Sequence, residues 1–465
     1  MKKIFTITIL LVLSASVFAQ ANFSTSLHAT RQGKTTAYMK ENGGMESITD
    51  IPMSQLACTK CHSTTETYPN GNPIDAATYA PSCNDCHDFT KGSAVEQQSC
   101  LNCHNRQVYE QQLYPDADAT GDVHRKKGMT CMNCHKKDEL HGDGTAYTSW
   151  FDDGASKTSC VECHPLSGLS SNTSHDVHAK TEKVDCAACH TTSIVSCVNC
   201  HFETLLATGK NRALQKIKGF ELLVKRNGKI TSGTFMTHTY NGKTNVIIAP
   251  FRSHLIQKNA RTCTDCHVNM GGTVAAITEY NASGTITMTK WNETTKKMTT
   301  PVGVVPLVGD WKTALKFDFA TYDGDPNNLT SDSTLWRYIT SNIDNIHLFH
   351  AEPLDNTTLT KLGFTKLPSD VKEISNVPTG FELSQNYPNP FNPTTTIQFS
   401  LPSQSHVIMN IYDALGRLVK TIVDETRAAG TYAVDFDAAN LSSGVYFCKI
   451  STDKFTATRK MLLMK

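Results

Sequence analysis

Sixteen of the chain's 17 cysteines fall into eight Cys-x-x-Cys-His motifs, and this pattern constrains the fold more than any other property of the sequence. The pairs are Cys58/Cys61, Cys83/Cys86, Cys100/Cys103, Cys131/Cys134, Cys160/Cys163, Cys186/Cys189, Cys197/Cys200 and Cys263/Cys266. Each second cysteine is followed directly by a histidine: His62, His87, His104, His135, His164, His190, His201 and His267. Two thiols separated by two residues match the two vinyl groups of one porphyrin, and the adjacent imidazole then lies beneath the ring as the proximal ligand of its iron. A zinc ribbon also uses Cys-x-x-Cys but needs no histidine after every pair. A thioredoxin-like dithiol needs one motif, not eight. A disulfide framework gives the histidines no role. With only 18 histidines in 465 residues, agreement in eight pairs out of eight excludes coincidence. The expected cofactors are eight covalently bound c-type haems. Cys448 stands apart in an apolar stretch and reads as a small core residue.

These motifs set the fold class. They leave roughly 26 residues per haem, too few to build an aliphatic core around each. Only 39% of the chain is hydrophobic. The haems themselves are therefore expected to form the core, packed against one another and joined by short helices, turns and loops. Arg106, Arg125, Arg252 and Arg261 are available for haem propionates, with ordinary solvated charge as the simpler reading of each. Between motifs seven and eight, residues 219–224, 230–238 and 244–248 read as strands. Asn227-Gly228 and Asn241-Gly242 join them, which predicts a small antiparallel meander. Residues 285–290 alternate like a strand. Residues 335–350 read as a helix able to deliver His347 or His350 to an iron.

Ten histidines remain beyond the proximal set. His406 lies in a separate C-terminal module. The other nine are candidate sixth ligands: His28, His124, His141, His175, His178, His238, His254, His347 and His350. His124, His178 and His254 stand just ahead of a motif, so one segment can serve its own haem and a neighbour. His175/His178 and His347/His350 are close pairs, and one of each is dispensable. Eight irons with two histidines each describe an electron-transfer protein. An iron with an open or lysine-filled sixth position describes a reductase, and Lys136 and Lys137 after motif four are candidates for it. A solvated loop charge is the simpler reading of both lysines. The sequence assigns no catalytic residue.

Charge and the N-terminus set compartment and partners. A formal net charge of +1 without a Lys/Arg block gives no reason to expect nucleic acid. Met1-Lys2-Lys3, an apolar run over 4–17 and Val17-Phe18-Ala19 read as a secretory signal peptide over 1–19. The run is too short to span a bilayer, so the mature protein is expected to be exported and not membrane-spanning.

Two resemblances follow. The stretch His124-Arg-Lys-Lys-Gly-Met-Thr-Cys131-Met-Asn-Cys134-His135, running on to His141-Gly142-Asp143-Gly144, resembles the octahaem tetrathionate reductase type of cytochrome. So do Phe251-Arg-Ser-His254 through His267 and Leu348-Phe-His350-Ala-Glu-Pro-Leu354. The resemblance spans about residues 22–365 and implies mostly bis-histidine haems with one lysine-ligated active haem. No motif ends in lysine, unlike cytochrome nitrite reductases. Tyr280 follows the last motif, but nothing singles it out as the cross-linked tyrosine of a hydroxylamine-oxidising cytochrome. Near the C-terminus, Ser384-Gln-Asn-Tyr-Pro-Asn-Pro-Phe-Asn-Pro393, Tyr412-Asp-Ala-Leu-Gly-Arg417 and Leu441-Ser-Ser-Gly-Val-Tyr446 resemble the type IX secretion sorting domain. That resemblance implies passage through the periplasm and outer membrane. The strand pattern there reads as an Ig-like all-β sandwich.

The expected organisation is a signal peptide over 1–19, an octahaem domain over 20–272, its cysteine-free continuation over 273–365, a linker over 366–380 and the sorting domain over 381–465. The expected role is electron transfer at or beyond the cell surface, to a redox partner protein or an extracellular acceptor. The alternatives are a reductase of a small sulfur or nitrogen oxyanion, and a subunit that stacks end haems between copies. The type IX machinery is the expected export partner.

Overall fold

The computed structural model describes residues 22–56, 67–75, 78–209, 212–327, 332–368, 371–374, 380–427 and 430–465. The leader expected over 1–19 and the first motif, Cys58/Cys61/His62, lie outside the described residues. Two compact units divide the chain: one runs to residue 365, and the other holds 366–465 with the short segments 308–310 and 355–357.

In the first unit, the segment that carries motifs two to six has almost no aliphatic core. Among the described residues between Leu56 and Ala187, the one buried apolar side chain is Ala155. The motifs sit on single helical turns: Cys83–Asp85, Gln97–Leu101, Cys131–Cys134, Cys160–Glu162, Cys186–His190 and, further on, Cys263–Cys266. Residues inside the motifs build three of these turns. The side chains of Asp85, Asn133 and Asp265 accept the backbone N–H of Ser82, Thr130 and Thr262 at 3.2, 2.7 and 2.6 Å. This is the capping box, which satisfies orphan donors at the start of a helix.

From residue 194 the backbone becomes sheet. The strands of this unit are β1 (Ile194–His201), β2 (Arg212–Arg226), β3 (Lys229–Tyr240), β4 (Lys243–Pro250), β5 (Ile286–Asn292), β6 (Lys297–Thr299), β7 (Gly303–Pro306), β8 (Leu315–Phe317), β9 (Phe319–Tyr322), β10 (Trp336–Thr340) and β11 (Asn345–Leu348). Six of them form one sheet in the order β11-β4-β3-β1-β2-β7. Its hairpin turns have positive φ at both residues, 47° and 75° at Asn227-Gly228 and 47° and 76° at Asn241-Gly242. That geometry matches the twist of the flanking strands and favours Asn-Gly. The predicted meander is thus present, inside a larger mixed sheet.

Two features depart from the sequence reading. Motif seven lies within β1 rather than on a helical turn, and the strand is buried throughout except at Cys197. Ile194, Val195 and Val198 favour that pleated, buried setting. The helix expected over 335–350 is replaced by β10 and β11. Trp336, Tyr338 and Ile339 suit a strand, and β11 completes the edge of β4 in parallel register, His347 opposite Ile247. The Asn345 amide anchors that edge by donating to Asn245 Oδ1 at 2.6 Å and to the Gly43 carbonyl at 2.8 Å.

The second unit is all β. Its strands are β12 (Val371–Ile374), β13 (Glu382–Leu383), β14 (Thr394–Leu401), β15 (Ser405–Asp413), β16 (Leu418–Arg427), β17 (Gly430–Asp437), β18 (Gly444–Ser451) and β19 (Thr456–Leu463). They form two four-stranded antiparallel sheets, β12-β17-β14-β13 and β16-β15-β18-β19. Alternate residues of β14, Ile397, Phe399 and Leu401, meet Val407, Met409 and Ile411 of β15 in one core with Phe436 and Cys448. Cys448 is fully buried there, and burial pushes its thiol up to about 12. The β15–β16 turn is held by Asp413, whose Oδ1 accepts from the backbone of Leu415 and Arg417, both at 2.9 Å. Among the described residues, no helix is long and apolar enough to cross a membrane.

Candidate haem-binding relay

The histidines meet in pairs. Ring centroids stand 6.2 Å apart in His28–His104, 6.0 Å in His87–His141, 6.3 Å in His124–His164, 6.2 Å in His135–His254, 6.4 Å in His175–His190 and 6.1 Å in His178–His267. Iron–nitrogen bonds of about 2 Å, with about 1.1 Å more from nitrogen to ring centre on each side, put the rings of a bis-imidazole iron roughly 6.2 Å apart. Each pair joins the histidine of one motif to one of the nine candidate sixth ligands. The two members of each pair come from different segments. His175 and His178 share the single π-helical turn His175–Ala179 and face two different motifs, six and eight.

The residues fit haem in three further ways. Three of the Nδ1 edges are tied to backbone carbonyls: His190 Nδ1 lies 2.9 Å from that of Gln257, His267 Nδ1 2.7 Å from that of Lys361 and His175 Nδ1 3.0 Å from that of Ser170. A proton held at Nδ1 leaves Nε2 free for a metal. Burial is the main cause that drives His28 and His254 down to about 4, so both imidazoles are neutral, the form that binds a metal. Finally, apolar side chains next to the motifs are uncovered: Phe89 is 58% exposed, Val177 52% and Met270 55%. A porphyrin face would cover such groups. A cavity of about 290 Å³ also opens beside motif eight, lined by Arg261, Thr264, Asp265 and Val274.

The cysteines give the order of the motifs in space. Cys86 of motif two neighbours Cys103 of motif three. The thiols of Cys100 and Cys131, in motifs three and four, neighbour one another. Cys134 neighbours Cys163, linking motif four to five. Cys160 and Cys186 neighbour one another, linking five to six. Cys189 neighbours Cys266, linking six to eight. The contacts alternate strictly: second cysteine to second, first to first, second to second, first to first, second to second. Motifs two, three, four, five, six and eight therefore form one unbranched series.

Buried carboxylates that the sequence reading passed over hold this series. Asp122 Oδ1 accepts from the backbone N–H of His124 and Arg125, and its Oδ2 from that of Ile256, all at 2.9 Å. One side chain thereby fixes the segments of two sixth-ligand candidates, His124 and His254. Glu110, fully buried, accepts from Ser253 Oγ at 2.6 Å and from the His254 N–H at 3.2 Å. Fully buried Glu221 receives Arg261 Nε at 2.8 Å, and Arg261 also donates to the carbonyls of Thr191 and Thr192 just after motif six. Nothing in their sequence surroundings, which carry other charges, singles them out.

The other sequence candidates fall elsewhere. Burial pushes both His238 and His347 down to about 4, and His347 further disfavours charge on His238. Both ring nitrogens of His347 are buried without a hydrogen-bond partner. His350 is exposed and packs on Phe349 and Phe151. Among the described residues, the proximal His201 has no histidine ring partner: its ring meets Tyr322 at 5.8 Å and Trp336 at 6.4 Å. Lys136 is paired with Glu162. Arg125 and Arg252 pair with Asp116 and Asp185 at 2.9 and 2.5 Å. Arg106 lies over the Phe251 ring at 4.4 Å. Tyr280 is buried against Phe364.

Comparison with known proteins agrees with this division. Residues 44–105, which hold motifs one to three, match the family model "Cytochrome c7 and related cytochrome c". Residues 385–464 match the "Secretion system C-terminal sorting domain". No curated protein matches the chain. Among solved structures, the endo-beta-1,4-mannanase from Thermotoga petrophila aligns at 11% identity and a TM-score of 0.12, over 30% of this chain and 29% of that one. A likeness that slight carries no argument. The chain contains a multihaem cytochrome region of the kind that holds c-type haem covalently and transfers electrons, followed by a type IX secretion sorting tail that points to export and cell-surface attachment.

Proposed function

We propose that the protein is an exported carrier of eight c-type haems that passes electrons, at or outside the cell surface, to a partner cytochrome or an extracellular acceptor. The observation that carries this reading is the unbroken series of cysteine contacts from motif two to motif eight, with a histidine pair at every station. Haem supplies a one-electron iron couple. The chain's own part is to set two imidazoles on each iron of the relay and to bring neighbouring thioether edges together, so that electrons pass without a moving part. His238 and His347, the buried pair on β3 and β11, are further candidates for a sixth ligand.

The same reading assigns residues 1–19 to a cleaved signal peptide, 20–365 to the cytochrome region, 366–380 to a linker and 381–465 to an Ig-like sorting domain delivered by the type IX machinery. Haem attachment precedes that last export step.

A second reading has one supporting observation. His201 lacks a histidine opposite it, as one haem of an oxyanion reductase of the octahaem tetrathionate reductase type would. Reoxidation of the dithionite-reduced protein decides between them. Electron transfer predicts oxidation by ferric citrate and a soluble flavin, with no saturable response to tetrathionate, nitrite or hydroxylamine. Fast, saturable oxidation by one of those small molecules would replace the carrier with an enzyme. Intact mass of the purified protein tests the count of eight.

A further inference from the structure

Motif seven differs from the six described motifs of the relay in every respect that bears on its metal. It lies in β1, not on a helical turn. No cysteine of the relay neighbours its own, and Cys197 and Cys200 instead act together on Arg106 and Tyr109 of the helix Asn105–Leu113. His201 is 5% exposed, more buried than any other described proximal histidine, and its Nδ1 lies 2.9 Å from Thr204 Oγ1. Its ring neighbours also differ. Six of the other proximal histidines meet an imidazole at 6.0–6.4 Å. In the same shell, His201 meets Tyr322 and Trp336, both edge-on.

Polar groups complete the surroundings. The Arg212 guanidinium lies 3.8 Å over the Tyr322 ring and is 8% exposed. Glu203 Oε1 accepts from the Asn241 N–H at 2.7 Å. Its Oε2 stands 3.2 Å from His201 Nε2, buried and without a hydrogen-bond donor. A buried carboxylate oxygen without a donor is costly unless a cation or a donor completes it.

We propose that motif seven holds the one haem whose sixth coordination position is not taken by a histidine, and that Tyr322, Trp336, Arg212 and Glu203 form the pocket in which that iron binds a small exogenous ligand, a diatomic molecule or a small anion. Tyr322 and Arg212 would supply donors to the bound ligand, and Trp336 would limit its size. Motif seven itself lies off the relay, beside the helix that follows motif three. This inference rests on motif seven carrying haem at all.

The test separates the two. Peptide mass spectrometry of the full-length holoprotein asks whether the peptide with Cys197 and Cys200 carries haem; a haem-free peptide overturns both readings at once. With haem present, carbon monoxide titration of the reduced protein should count one ligand per chain. Tyr322→Phe and Arg212→Gln should each change its dissociation rate roughly three- to ten-fold, the scale of one hydrogen bond. Trp336→Phe should speed both entry and exit. If no carbon monoxide binds, or if its rates are the same in all variants, the open iron is not at motif seven and the proposal falls. Tyr322→Phe removes a single atom, so it gives this readout even where the other variants fail to fold.

Discussion

The rings of His135 and His254 face each other at 6.2 Å with their planes 36° from parallel, although motif four provides one and the approach to motif eight the other. The pair exists because two buried carboxylates stitch those segments together. Glu110 holds the backbone of His254 from the helix after motif three. Asp122 holds Ile256 while it caps the turn that presents His124. Ligand positions here depend on acids that touch no metal.

Replacing Asp122 by alanine tests this dependence. Three backbone donors, two of them on segments that carry sixth ligands, lose their acceptor. A cost of about 3 kcal/mol is expected, since hydrogen bonds to a charged group are the stronger kind. Denaturant unfolding followed by the haem absorption band should show it. Asp122→Asn, which keeps one acceptor oxygen, should lose less than half as much.

Arg261→Met leaves Glu221 buried and unpaired and frees the carbonyls of Thr191 and Thr192. Breaking one side of a buried pair costs roughly 3–5 kcal/mol. The expected outcome is a markedly lower thermal midpoint. The double variant Arg261→Met with Glu221→Leu should recover most of the loss, and failure to recover would show that the carbonyl contacts matter more than the charge pair.

His175→Ala and His178→Ala lie on one turn but serve different motifs. Each should open a single iron, raising the carbon monoxide count by one per chain over the parent. The double variant should raise it by two. His254→Met should move one wave of a potentiometric titration upward and leave the rest in place, because a thioether ligand favours the reduced iron.

Axial ring planes differ along the series. They are 22° and 25° apart in His178–His267 and His175–His190, but 59° and 53° apart in His28–His104 and His124–His164. Near-parallel and strongly twisted imidazoles split the iron d orbitals differently. Electron paramagnetic resonance of the oxidised protein should therefore resolve two classes of low-spin haem. The His178→Ala and His175→Ala variants should each remove intensity from the near-parallel class only.

Removal of residues 381–465 should leave the haem spectrum unchanged and stop the protein short of the cell surface. Cell fractionation with haem staining reads the outcome. Holoprotein still at the surface would separate export from the tail.

Much of this was legible because its cause is local. Cys-x-x-Cys-His is fixed by the width of a porphyrin, and Asn-Gly at 227–228 and 241–242 is fixed by the sign of φ that a tight hairpin requires. Residues 335–350 misled because their apolar spacing suited a helix, whereas the free edge of β4, distant in sequence, selected β11 as a strand. Lys136, a reasonable ligand on sequence grounds, is instead paired with Glu162. The partners of the sixth ligands were not legible, since His124 and His254 cross to motifs other than the ones they precede. Motif seven looked like its siblings in sequence, and only its strand and its aromatic neighbours set it apart.

The alternation of cysteine contacts makes the described relay a palindrome. Motif two uses its second cysteine inward, at Cys86, and motif eight does the same at Cys266. Read from either terminus, the sequence of junctions is the same. Geometry therefore gives the wire no preferred polarity. Any net direction of current must come from the reduction potentials of the individual irons and from what waits at each end.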